Sequence, residues 1–270
     1  MLILESQYLN MNVKSLLLLS FVIIANSSNI FSQNKKLSYY EIKIYHLQNQ
    51  EQEDQVNEYL KVALLPALHR NGNKNIGVFK PIGNDTAKNK RIYVLIPFKS
   101  AKHFADFEDK LANDEEYFIR GKEYLNAPYN KTPYRRIESV LIKAFPYMPK
   151  LEVPELKNEP SQRIYELRSY EGPTEKLYKN KVHMFNEGGE VGLFKRLGFN
   201  AVFYGSVLAG SRMPNLMYMT SFEDMQSRET HWKAFSADAE WKKLKDNSFY
   251  KNNVSKSEII LMHAADYSDI

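Results

Sequence analysis

The 270-residue sequence holds no cysteine. Disulfides, thiolate metal sites and a cysteine nucleophile are therefore excluded. Six histidines are present, yet none forms an HxH or HExxH pair, so a metal site would have to be assembled from distant positions and none is expected. There is no G-x-S-x-G, no P-loop and no G-x-G-x-x-G, so nothing compact announces a nucleophile elbow or a nucleotide cradle. No cofactor is expected. A long block of one charge is missing too. The 37 basic residues are interleaved with 32 acidic ones, for a net charge of +5, and without a concentrated basic face a nucleic-acid partner is not expected. No apolar run reaches the ~20 residues of a membrane-spanning helix. The run from Leu16 to Ile24 is about half that length, which argues against a stable membrane anchor.

What is present suits a folded protein: 43% hydrophobic, 26% charged and 13% aromatic residues. Residues 11–33, "MNVKSLLLLSFVIIANSSNIFSQ", have a basic start at Lys14, an apolar centre and a small, polar end. That is the layout of a secretory signal peptide, with cleavage expected after Ser28 or Ser32. Met11 is a plausible start, because residues 1–10 carry an acid that such leaders usually lack. The extension and signal peptide are assigned to 1–33, and the protein is expected to be exported to the periplasm or medium.

The chain repeats itself. "YEIKIY" at 40–45 returns as "YELRSY" at 165–170. At an offset of 124, Val78-Phe79 falls on Val202-Phe203 and Phe98 on Phe222. "NDEEY" at 113–117 falls on "ADAEW" at 237–241, and Arg70-Asn71-Gly72 falls near Arg196-Leu197-Gly198. Landmarks that keep their order this long imply a duplicated unit.

Each half reads β-α-β-β-α-β. In the first strand Tyr40, Ile42 and Ile44 share one face, Glu41, Lys43 and Tyr45 the other. A helix from about 53 to 70 carries an apolar stripe and ends at Gly72. Its counterpart ends at Gly198, and both positions suit a C-cap glycine. Pro66 and Gly188-Gly189 interrupt these helices at similar depth, as a bend that follows the sheet or one that opens space beside a ligand. Strands are expected at 75–82, 91–98 and 137–145, and again at 200–209, 215–222 and 257–264. Gly205, Gly210 and Pro214 read as turn residues. Ser100 and Ser221 read as N-caps of the second helices, whose apolar positions are Phe104, Phe107 and Leu111, then Met225, Trp232 and Phe235. Residues 146–161, with four prolines from Pro146 to Pro160 bounding the stretch, read as an extended linker; fifteen such residues span on the order of 45 Å at ~3.1 Å each. The domains are therefore drawn at 37–145 and 162–264, with a tail at 265–270.

An antiparallel sheet with both helices on one side leaves its other face bare. A second copy on the same chain can cover it, giving an eight-stranded barrel with helices outside, either filled by side chains or holding one small ligand. The fold class is thus α+β: two tandem ferredoxin-like βαββαβ domains closing an intrachain dimeric α/β barrel.

Residues 163–245 resemble a NIPSNAP domain, of the dimeric α/β-barrel superfamily. The resemblance rests on Tyr165-Glu166-Leu167-Arg168, the Met-rich strand 216–219, Arg228-x3-Trp232-x2-Phe235, and Asp238-x-Glu240-Trp241. The first half, with "LLPALHRNG" at 64–72, resembles the divergent N-terminal half of tandem-domain bacterial members, without the tryptophans. The resemblance implies an interaction or ligand-binding role, since no reaction is firmly established for the family. Monooxygenases and haem-processing enzymes of the wider superfamily imply an oxidative enzyme using the barrel cavity as the alternative.

Candidate ligand contacts are His69, Tyr93, Arg168, His183, Glu187, Tyr218, Arg228 and Trp232. Glu41 with Lys43, and Glu166 with Arg168, share strand faces, and would line a cavity if turned inward or pair with each other if not. Arg228 and Trp232, four apart on a helix, are expected to stack. Trp232 and Trp241 are expected chiefly as core anchors. His183, with Asn186 and Glu187, and His69 beside Pro66 could each face a pocket. The expected ligand is small and apolar or aromatic. Larger oligomers are expected if a sheet edge stays open.

Overall fold

The computed structural model describes residues 36–270. The expected signal peptide at 1–33 lies outside the described residues. Eight strands are present among the described residues: β1 (Tyr39–Leu47), β2 (Gly77–Pro81), β3 (Lys90–Phe98), β4 (Arg136–Ala144), β5 (Ile164–Glu171), β6 (Asn200–Ala209), β7 (Asn215–Phe222) and β8 (Lys256–Ala264). They close into a barrel in the order β1-β3-β2-β8-β5-β7-β6-β4, with antiparallel neighbours throughout. Each half supplies four adjacent strands in the ferredoxin-like order, β4-β1-β3-β2 and β8-β5-β7-β6. The halves meet at two seams, β2 on β8 (Phe79 facing Ala264) and β4 on β6 (Ala144 facing Gly205). Closure pairs both edges of both sheets, so the open edge on which larger oligomers were expected does not exist among the described strands.

The lumen is filled. Tyr40, Ile42 and Ile44 point into it with Phe79, Tyr93, Tyr165, Phe203, Met217, Met219 and Met262, all nearly inaccessible to solvent. Leu37, Leu151 and Ile270 pack against this core. Apolar side chains from all eight strands interdigitate here, which is how a small barrel is stabilised without a ligand. The charged row of β1 and β5 therefore does not line the lumen. Glu41, Lys43, Glu166 and Arg168 face outward, under the helices. The reason is the stronger apolar row, Tyr40-Ile42-Ile44 and Tyr165-Leu167, taking the side that is sealed on all sides.

The first helix of half one runs as α1 (Gln50–Tyr59), a π-helical segment (Leu60–Leu64) and α2 (Leu65–Arg70). Asn49 caps it, accepting from the backbone N–H of Gln52 at 2.9 Å. Pro66 sits where the chain passes from the π-helical segment back to α-helix, so its missing N–H falls inside a continuous helical run. The second helical region is α3 (Ala101–Ala105), α4 (Phe107–Ala112), α5 (Glu115–Arg120) and α6 (Lys122–Leu125). Ser100 caps α3 as expected, accepting from the His103 N–H at 3.1 Å. In half two the first helix splits into α7 (Glu175–Phe185) and α8 (Glu190–Arg196). Asn186 is the C-cap of α7 and Gly189, at φ +87°, the N-cap of α8, so the glycine pair lies between two helices rather than loosening one. The second region is α9 (Met225–Ala237) and α10 (Ala239–Asp246). Here Asp224, not Ser221, is the N-cap, accepting from the Ser227 N–H at 2.7 Å. β7 extends through Ser221, whose hydroxyl donates to the Asn200 carbonyl at 2.9 Å. Met225, expected in the apolar stripe, is 39% exposed.

The duplication is visible in contacts. Arg70 at the end of α2 grips Asp114 at 2.8 Å and Glu116 at 3.1 Å. Arg196 at the end of α8 grips Asp238 and Glu240, each at 2.9 Å. Asp114 and Asp238 also cap α5 and α10, accepting from the N–H of Tyr117 (3.0 Å) and Trp241 (3.1 Å). The linker is extended but fastened: Glu152 donates its N–H to the Val202 carbonyl at 3.1 Å, and Lys157 and Asn158 donate theirs to the Glu223 carboxylate. The tail of half two crosses to half one. Asp269 takes the Ile76 N–H at 2.8 Å, and the Tyr267 hydroxyl reaches Asn57 at 2.7 Å.

Candidate ligand cleft

On the outer face of the second half-sheet, β5 and β7 set Arg168 directly beside Tyr218. Alternation on β5 puts Glu166, Arg168 and Tyr170 in one row. The helices α7 to α10 roof that row without sealing it. A cleft of about 500 Å³ remains, lined by Arg168, Tyr170, Tyr218, Lys181, Glu190, Phe194, Arg228, Trp232, Phe235 and Trp241, with Ser236, Ser257 and Val254 at its rim. The break between α7 and α8 contributes directly, because it brings Glu190 at the start of α8 against Lys181 of α7 at 2.8 Å.

The floor is organised by Glu166, which is completely buried. Its Oε1 accepts from Arg168 Nε, and its Oε2 accepts from Arg228 Nε and, at 3.0 Å, from Trp232 Nε1. Arg168 also donates through Nη1 to the Tyr170 hydroxyl at 3.1 Å, and Tyr170 and Tyr218 share a hydrogen bond of 2.9 Å. Burial works against the Arg168 cation, but Tyr218, Tyr170 and Glu166 outweigh it and hold its pKa above the ordinary value. The Tyr218 phenol is driven well above its usual range, chiefly by burial and then by Tyr170. Both groups thus keep their N–H and O–H hydrogens at neutral pH.

The guanidinium lying on the Trp232 indole is that of Arg168, 3.6 Å from the ring centroid, and not that of Arg228. Arg228 instead donates its Nε to Glu166, the carboxylate that also takes Arg168 and the Trp232 indole N–H. Trp232 and Trp241 are anchors and cleft walls at once. Phe235 stacks on Phe194 at 4.8 Å and meets Trp241 at 4.4 Å, tying the roof to the half-two core.

Four of the sequence candidates, Arg168, Tyr218, Arg228 and Trp232, therefore meet in one cleft, while the other four lie apart. Tyr93 is in the filled lumen, its hydroxyl accepting from Arg91 at 3.2 Å. His69 binds Asp269 of the tail at 2.9 Å. His183 is exposed on α7 and shares a hydrogen bond of 2.9 Å with the Tyr250 hydroxyl, and Glu187 is exposed in the helix break. Lys181, Glu190 and Tyr170 were missed. Tyr170 was legible as the end of the repeated sextet; the Lys181–Glu190 pair spans a helix break that no helical periodicity encodes. Gly205, read as a turn residue, lies inside β6 at the seam with β4.

A larger cleft of about 680 Å³ lies between α1 and α5–α6, with Glu58, Glu116, Glu123, Arg120 and Lys122 around stacked Tyr59 and Tyr124. None of the sequence candidates lines it, and its charges are rim side chains of mixed sign, whereas the half-two cations are fixed on a buried acid. No helix of the described residues is long and apolar enough to cross a membrane, and no group of three or more His, Asp or Glu among them could hold a metal.

The NIPSNAP family profile matches residues 165–269. No curated protein matches the chain. Among solved structures the chain is similar to a candidate monooxygenase from Fusobacterium nucleatum, at 7% identity over 84% of this chain and 92% of that one, with a TM-score of 0.56. It is similar to a candidate monooxygenase from Lactobacillus acidophilus at 8% identity over 84% and 94%, with a TM-score of 0.53. A NIPSNAP family protein from Agrobacterium tumefaciens matches 43% of this chain and 98% of its own at 17% identity, with a TM-score of 0.36.

Proposed function

We propose that this chain, which carries a NIPSNAP domain over residues 165–269, is a small-molecule-binding protein whose site is the outer cleft of half two and not the barrel lumen. The observation that carries this reading is the pairing of a filled lumen with an open, aromatic-walled cleft of about 500 Å³ whose polar groups converge from five elements. That volume lies within the usual range of ligand pockets, and polar groups converge there beside two indoles. The activity named for the two fold neighbours is not carried over, since identities of 7% and 8% speak for architecture alone. Binding is also favoured over catalysis by the pairing of each ionisable side chain in the cleft. Lys181 holds Glu190, both arginines hold Glu166, and the two tyrosines hold each other. No lining carboxylate stands free to act as a general base.

The chain's two tryptophans both wall the cleft, which supplies the test. Titration with the neutral fluorophore N-phenyl-1-naphthylamine is expected to give saturable emission excited through tryptophan. Ser236→Phe, which fills the rim, is expected to weaken binding at least about tenfold at unchanged melting temperature. Emission that rises without saturation, or is indifferent to the filled rim, would overturn the assignment.

A further inference from the structure

We infer that the cleft of half two takes a flat, apolar or aromatic molecule bearing one oxyanion, held on the terminal nitrogens of Arg168 and Arg228, and that each chain binds one such molecule. The inference rests on the binding reading above and adds the charge, the anchor and the stoichiometry.

The first argument is a count of hydrogen-bonding capacity. Both arginines reach Glu166 through Nε, the side nitrogen, and Arg168 commits one further N–H to Tyr170. Arg168 Nη2 and both terminal nitrogens of Arg228 make no hydrogen bond to the described residues. Glu166 is closed to a ligand: it is fully buried and both its oxygens are taken, Oε2 twice over. A guanidinium has donors only, so what the floor still offers is N–H, and what it can receive is an acceptor.

The second argument is charge. Lys181 and Glu190 cancel as a buried pair. Glu166 cancels one of its two arginines. One positive charge is left over, on guanidinium groups whose side chains are only 12% and 18% exposed. A half-buried cation beside aromatic walls attracts an anion more strongly than an exposed one, because water screens it less. Paired guanidinium ends also suit the two oxygens of a carboxylate, or two of a phosphate or sulfonate. The two partly exposed indoles, Trp232 and Trp241, backed by the buried Phe194 and Phe235, then suit a flat, apolar ligand body.

The third argument is the duplication, which serves as an internal control. β1 pairs Lys43 with Val94 where β5 pairs Arg168 with Tyr218. Counted from the nearest repeated landmark, whose offset is 125 at the Tyr40/Tyr165 sextet, 126 at Arg70/Arg196 and 124 at Phe98/Phe222, Val56 stands for Lys181, Leu64 for Glu190 and Phe104 for Arg228. Val56, Leu64 and Val94 are sealed in the half-one core, with Phe104 packed on it. Half one keeps the strand pair Glu41–Lys43, at 3.8 Å, but Glu41 takes the Ser139 hydroxyl at 2.7 Å in place of a second arginine. At these matching positions half one has plain core in place of the polar set. The charges of half two are therefore not a requirement of the fold, and the chain has one such site rather than two.

The test uses 2-naphthoate and its neutral isostere 2-naphthamide on the protein, by calorimetry and by the indole N–H signals of Trp232 and Trp241 in nitrogen-15 spectra. The expected result is one naphthoate per chain, both indole signals shifting with the same saturation, and naphthamide binding about tenfold weaker. Arg228→Gln is expected to bring naphthoate down to the naphthamide level and leave naphthamide unmoved. The indole shifts need no substitution, so they decide the matter even if this variant folds poorly. Equal binding of both compounds would sink the oxyanion inference and leave the binding reading standing. Naphthoate bound without indole shifts, or two per chain, would overturn the anchor or the stoichiometry. Failure of both compounds and of the neutral fluorophore would overturn both readings.

Discussion

Glu166 is an acid that the fold keeps wholly out of water, and its partners are what make this tolerable. Burying a carboxylate costs several kcal/mol, and two guanidinium groups plus an indole N–H offset that cost only together. Removing the acid leaves two half-buried cations facing each other. Glu166→Gln is therefore expected to destabilise the protein by about 3–5 kcal/mol, read from the urea unfolding midpoint. Glu41→Gln, whose acid is 4% exposed and has a single ion-pair partner at 3.8 Å, should cost clearly less. Equal losses would contradict the description of Glu166 as the organiser of the cleft. At this scale the sequence was half legible. Spacing of two on a strand put Glu166 and Arg168 on one face, which is a property of the pleat. It did not say which side of the sheet that face meets, because both rows of β5 contain aromatic and apolar residues. Nor could spacing say that Arg168 would lie on Trp232: that contact joins a strand to a helix 64 positions later, and the four-residue helical spacing pointed to Arg228 instead.

Elements are held to one another by a few buried ions, and the Glu53 cluster is the clearest case. Glu53, on α1, is 1% exposed and takes Lys80 of β2 at 2.9 Å and Lys90 of β3 at 3.1 Å. The Asn84 amide, in the connection between those strands, donates to it at 3.2 Å. Burial alone would raise this carboxyl, but the hydrogen bonds and charges of the two lysines prevail and hold it below its ordinary value of 4.5. A carboxyl with a lower pKa folded than unfolded adds stability at pH values above the unfolded pKa, and that stability is lost as pH falls through the folded one. The window thus opens near pH 4.5 and extends downward. Glu53→Gln is expected to be less stable than the parent at pH 7 and to show a shallower fall in melting temperature between about pH 5 and pH 3. Parallel melting curves across that range would remove Glu53 from the account. Element order and most strand limits were legible from alternation and from the repeat. Misplaced boundaries have local causes. Two polar residues three apart, Ser221 and Asp224, could each cap α9, and the strand pairing of Ser221 with Tyr165 decided for Asp224. Gly205 looked like a turn residue because nothing local distinguishes a turn glycine from one that another strand needs close by.

Closure of the barrel depends on that glycine. Each half-sheet covers one apolar face with its own helices, and the two other faces bury each other only if both seams form. At the β4–β6 seam a Cβ on residue 205 would stand 2.4 Å from the Ile142 side chain and 2.7 Å from the Lys143 carbonyl oxygen. A backbone oxygen cannot step aside as a flexible side chain can, so an alanine there pushes the strands apart. The register shift between Leu141 and Ile142 lies in the same seam. Gly192, inside α8, is the opposite case: an added Cβ meets nothing within 4 Å. The same change, glycine to alanine, should therefore have opposite signs in one molecule. Gly205→Ala is expected to cost about 1–3 kcal/mol through overpacking, and Gly192→Ala to gain about 0.5–1 kcal/mol through helix propensity. Thermal and urea unfolding of the two variants beside the parent would check this, and a stabilised Gly205→Ala would mean that the halves do not meet at this seam. The duplication made two facing sheets legible from sequence alone, because an apolar face without a cover is unstable. The closeness of the seam was not legible, since it depends on where two strands 60 residues apart come to rest against each other.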